Sequence, residues 1–142
     1  MRAAGCSRRR CGASAAEFAV VLPVLLLIVL GLIDFGRFAY YHVAVTNAAR
    51  AGAEYAIMTP YVPAAQAAWN ARVQETARDE MTNQIGYDPA DLTTATTVTV
   101  ERTGLRRVRV EATYASFQTV TSWPGIPSSL TIRSAVTMRV IR

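Results

Sequence analysis

The strongest constraint in this 142-residue chain is a run of sixteen residues without a charge, FAVVLPVLLLIVLGLI, over positions 18–33. Thirteen of the sixteen are Leu, Ile, Val or Phe, together worth about 4–8 kcal/mol of membrane insertion. As a helix the run measures about 24 Å, and reaching back to Ala13 brings it to about 31 Å, close to the hydrocarbon thickness of a bilayer. Glu17 is the one ionisable group in that longer stretch, and it sits at the edge, where a charge costs least. Pro23 removes a backbone donor and predicts a kink near Ala19.

Charge supplies a direction. Arg2, Arg8, Arg9 and Arg10 precede the run with no acid among them, whereas residues 13–142 hold 11 Arg against 10 acids. The excess of +5 therefore lies almost wholly in the first twelve residues. This predicts a cytoplasmic N-terminus and an extracytoplasmic remainder. Ser7-Arg8-Arg9-Arg10 has the look of a twin-arginine signal, but Asp34-Phe35-Gly36-Arg37 follows the apolar run in place of a small-residue cleavage site, so a retained anchor is expected. Without a sustained basic face on the remainder, nucleic acid is not an expected partner. Both cysteines, Cys6 and Cys11, fall in the leader, which leaves none to staple or to bind metal later in the chain.

After position 33 no strong breaker occurs until Pro60, so the helix continues out of the membrane. Asp34 with Arg37, and Arg50 with Glu54, have helical pairing distances. Ala44, Ala48, Gly52 and Ala56 recur every fourth residue, a stripe that admits another backbone closely, either from this chain's own domain or from a neighbouring subunit. Phe38, Tyr40 and Tyr41 suit an interfacial aromatic belt. A second helix is predicted over 63–84, opened by Pro63, striped by Trp69, Val73, Ala77 and Met81, and stopped by Gly86. Asp88 and Asp91 lack the further ligands of a calcium loop and read as a turn.

From Thr96 the period changes to two. Val98 and Val100 form one strand, Val108, Val110, Ala112 and Tyr114 a second, and Ile132, Val136, Met138 and Val140 a third over 130–141, with an irregular loop over 116–129 around Trp123. Pairing Val100 with Val108 and Glu101 with Arg107 is the register that best matches faces and charges. His42, the one histidine, lies among Tyr and Val and reads as a packing or surface residue. Arg106, Arg107 and Arg109 read as a solvated strand face. No catalytic constellation, metal set or cofactor motif emerges, and no enzyme activity is expected.

The order of features at the front of the helix is a basic leader, Gly12, the small residues Ala13 to Ala16, Glu17, Phe18 and then the apolar run. It resembles the processing site of type IV prepilins, the Flp branch in particular. The longer run from Glu17 to Ala53 resembles the TadE-like family, pseudopilins of the tight-adherence (Tad/Flp) pilus machinery, through Glu17, Phe18, Pro23, Gly31, Asp34 to Arg37, Asn47 to Arg50, Gly52 and Ala53. The resemblance implies cleavage between Gly12 and Ala13 by a membrane prepilin peptidase, with Glu17 and Phe18 as the processing and assembly motif. It also implies other Tad/Flp pilus and pseudopilin subunits as partners, and roles in secretion and cell adhesion. The expected architecture is α+β and pilin-like: a leader over 1–12, a transmembrane helix over 13–33, its extracytoplasmic extension over 34–58, and over 59–142 a small domain with a second helix on about three antiparallel strands. The expected location is the bacterial inner membrane, crossed once. The competing reading is an uncleaved, single-pass accessory or binding protein of an envelope secretion system.

Overall fold

A computed structural model describes residues 8–82, 84–102, 104–121, 125 and 127–140, with side chains from Ala13 onward. The leader residues 1–7, Trp123 and Ile141 lie outside the described residues. Helix α1 (Arg8–Met58) is followed by α2 (Gln66–Met81), which a 3-10 turn at Pro63–Ala65 introduces, and by strands β1 (Leu92–Val100), β2 (Arg106–Gln118) and β3 (Ser129–Val140). The strands form one antiparallel sheet in the order β1-β2-β3. The chain is thus α+β, a long apolar N-terminal helix and a second helix against three strands.

Helix α1 runs 51 residues, about 77 Å, and includes Pro23 without interruption, although proline donates no helical hydrogen bond. Among the described residues, the buried face of α1 lies in its C-terminal half. Tyr41, Ala44, Val45, Ala48, Ala49, Gly52, Ala53 and Ala56 are buried at the three-and-four spacing of one helix face. The small-residue stripe therefore packs inside this chain, against α2 and the sheet. At Gly52 an added Cβ would lie 3.3 Å from Val73 Cγ1, 3.4 Å from the Val73 carbonyl oxygen and 3.5 Å from Val110 Cγ1, so absence of a side chain sets the closeness of α1 to both partners. From α2 the four residues Trp69, Val73, Ala77 and Met81 enter the same core.

Two aromatic expectations need correction. Tyr41 is 6% exposed, stacked on Tyr114 at 5.5 Å between centroids and donating its hydroxyl to the Ile85 carbonyl at 2.6 Å. Phe38 packs edge-on against Phe117 at 5.7 Å. Tyr41 belongs to the domain core and Phe38 packs half-buried against it, while Tyr40 alone of the three stays exposed, because the sheet reaches that turn of α1 and covers its face. Gly86, at φ +76°, lies in the turn beyond α2 and does not cap the helix directly. Arg50 and Glu54 are both exposed and form no ion pair among the described residues; at such a site solvation serves each as well.

The strand register also differs from expectation: Val100 faces Arg106, and Val98 faces Val108. The loop closes through a bond from Gly104 N–H to the Glu101 carbonyl and one from Glu101 N–H to the Leu105 carbonyl, each 2.9 Å, with Gly104 at φ +78°. A glycine free to take a left-handed conformation at position 104 sets the turn between Glu101 and Leu105, one residue earlier than face matching alone dictates. Charge matching survives on the outer face, where Arg107 and Arg139 stand opposite each other and Glu101 bonds Arg107 and lies 3.3 Å from Arg139. A bulge between Tyr114 and Phe117 breaks the alternation of β2, so both rings point into the core. Asp88 accepts from Ala90 N–H at 2.9 Å, which makes 88–91 a capped turn.

Gly52→Leu is expected to lower stability by about 1–3 kcal/mol through overpacking, seen as a lower midpoint in thermal unfolding of the detergent-solubilised chain. A second expectation concerns pH. Burial raises the pKa of Tyr114, with Tyr41 adding to it, and burial raises that of Tyr87, both from the ordinary 10.0. A raised folded-state value favours the neutral phenols, so their contribution is complete below pH 10.0 and is lost as pH climbs through the folded values. Alkaline titration followed by near-UV circular dichroism checks this: tertiary signal should fall together with tyrosinate absorbance.

Candidate functional site

The N-terminal half of α1 is built for contact outside this chain. Ala13 to Val29 are exposed without interruption, and Leu32, Ile33 and Phe35 extend that surface. In water this surface carries a large penalty, at about 25 cal/mol for each Å² of apolar area. The helix is long and apolar enough to cross a membrane. Helix α1 is described from Arg8 onward, and the Gly12–Ala13 bond lies within its helical backbone. Glu17 and Phe18 follow on the exposed helix surface, and Glu17 meets no hydrogen-bond or ion-pair partner among the described residues. The stripe of Ala44, Ala48, Gly52 and Ala56 stands far from this front end and inside the core, so the residues singled out in the sequence form two separate regions.

Between them lies a junction that local spacing does not reveal. Asp34, one residue past the apolar run, is 7% exposed. Its Oδ1 accepts from Val120 N–H at 2.7 Å and its Oδ2 from Thr121 N–H at 3.1 Å. The carboxylate thereby fastens the segment after β2 to the helix at the end of the run. Hydrogen bonds to an ionised group contribute about 1.5–3 kcal/mol each, and burial of the carboxylate without them would cost more than that. Arg37, the pairing partner read from sequence, stands 3.9 Å from Asp34 Oδ1, donates to the Gln118 carbonyl at 3.3 Å and lies 5.6 Å from the Phe117 ring centroid. Both side chains of the pair thus hold the end of β2. A buried acid immediately after an apolar span was the available signal, since such a group needs partners; which amides supply them depends on the fold.

Among the described residues no group of three His, Cys, Asp or Glu could hold a metal ion. His42 is exposed on α1, beside the Phe38 ring at 6.3 Å.

Asp34→Ala would leave two amides unpaired in a half-buried setting, at about 1–3 kcal/mol. Hydrogen exchange at Val120 and Thr121 should accelerate by one to two orders of magnitude, roughly the same energy as a rate, while the amides of α2 remain protected. Equal protection in the variant would show that the carboxylate does not hold the segment.

Comparison with curated proteins and with solved structures finds no match. Residues 12–54 match the family model described as TadE-like protein. That interval opens at the Gly12–Ala13 bond, contains Glu17, the whole apolar run and the Asp34–Arg37 pair, and ends within the buried stripe. Over residues 12–54 the N-terminal helix of this chain is similar to the TadE-like family.

Proposed function

We propose that this chain is a minor pseudopilin that takes part in assembly of a Tad/Flp-type pilus, after a prepilin peptidase has cut between Gly12 and Ala13. The match over residues 12–54 carries the reading, and the uncovered apolar length of the same helix supports it. In this reading residues 1–12 stay in the cytoplasm, 13–33 cross the inner membrane once, and 34–58 lead into an extracytoplasmic domain over 59–142. The function is structural, with the prepilin peptidase and other pilus subunits as partners.

The chemistry of the front end follows from dielectric. Cleavage replaces the arginine leader by an ammonium group on Ala13, and Glu17 stands one helical turn further on. In lipid each charge alone is expensive, and the two together satisfy one another. A joining subunit that presents its ammonium to a neighbour's Glu17 would gain this pairing only at the correct axial position. Cutting within the helical backbone of α1 requires local unwinding, and Gly12 lowers that cost by about 1 kcal/mol relative to alanine.

Intact-mass and N-terminal analysis of the chain from cells with the Tad machinery tests the proposal: the mature protein should start at Ala13. An intact leader in such cells would favour the uncleaved, anchored accessory protein instead. Glu17→Ala should insert normally yet assemble poorly, and full piliation by that variant would remove the pairing mechanism.

A further inference from the structure

At the junction an apolar groove of about 370 Å³ opens between helix and sheet, lined by Gly31, Phe35 and Phe38 of α1 and by Phe117, Thr119 and Leu130. We infer that this groove seats a phospholipid of the bilayer that the helix crosses, with an acyl chain along the groove and the headgroup phosphate at Arg37. The inference rests on the reading of residues 18–33 as a membrane span.

Position is the first argument. Gly31 belongs to the uncharged run and Phe38 lies about 10 Å further along the helix, so the groove extends from the edge of the hydrocarbon into the headgroup layer. Its floor is continuous with the exposed surface of the span through Leu32 and Phe35, and Phe35 is 70% exposed. Lining is the second. The carboxylate at the groove, Asp34, accepts from Val120 and Thr121, so its charge is balanced by amides within the protein. Val120 itself is 63% exposed and adds apolar surface near the same end of the domain.

Charge complementarity is the third. Arg37 is the first basic residue after the run and stands beside the groove without lining it; its side chain is 41% exposed, and its guanidinium is held by the Phe117 ring, the Gln118 carbonyl and, at 3.9 Å, the Asp34 carboxylate. A guanidinium so oriented keeps donors for a phosphate and matches its geometry in a bidentate manner. A water-filled groove would leave Phe35 and the uncovered part of Phe38 against solvent; an acyl chain covers them and lets the domain rest on the membrane.

Photocrosslinking of the full chain in cell membranes tests this, with p-benzoylphenylalanine placed singly at Thr119, Phe35, Leu26 or Thr97 and adducts identified by mass spectrometry. Leu26 reports the span, Thr119 the sheet wall of the groove, and Thr97 the outer sheet face. Phospholipid adducts are expected at Leu26, Phe35 and Thr119, severalfold above Thr97, and Arg37→Gln should reduce the yield at Thr119 while leaving Leu26 unchanged. If Leu26 gives lipid adducts but Thr119 and Phe35 give crosslinks to a second copy, or no lipid, the groove is not a lipid seat although the span stands. Absence of lipid at Leu26 would overturn the span and the groove together. Phe35 is already exposed and aromatic, so its replacement keeps the test valid should the Thr119 variant fold poorly.

Discussion

One helix has to satisfy two surroundings, and the Asp34 carboxylate marks the place where it changes from one to the other. Before it, side chains are large, apolar and uncovered; after it, they are small and packed against the chain's own domain. The carboxylate is tied to two amides from the far end of the sequence, so the domain attaches at the first turn beyond the apolar run. Arg37 adds a second polar contact, at the Gln118 carbonyl that ends β2.

The seam above this junction works by subtraction. Alanine and glycine at positions 44, 48, 49, 52, 53 and 56 bring the helix axis close to the sheet and to α2, and the larger residues that fill the space come from the partners: Trp69, Val73 and Met81 from α2, Val108, Val110 and Phe117 from β2. Close packing of this kind leaves few alternative arrangements, because shifting the helix by one residue would drive Cβ atoms into Val73 and Val110. The β2 bulge completes the fit, turning Phe117 toward Phe38 and Tyr41 when strict alternation would have turned it outward.

Much of this was legible in the residue pattern, and the failures share a cause. The apolar run, the stripe of α2 and the alternating strands are local periodicities, each readable because one face of a regular element must be buried. Tyr41 was misplaced in an interfacial belt because its partners, Tyr114 and the Ile85 carbonyl, are distant in sequence. Hairpin register differs because face and charge matching do not register the left-handed Gly104, which sets where the turn falls. Asp34 was recognised as an i,i+3 partner of Arg37, whereas its main partners are amides 86 and 87 residues away. At the candidate site the exposed front end was readable from composition, and the junction was not.

The unbroken backbone from the uncovered apolar half of α1 into the seam has a mechanical consequence. A helix resists compression along its axis, and the seam admits little slip between it and the sheet. Displacement of the greasy half along its own axis is therefore delivered to the domain almost undiminished, as by a piston rod.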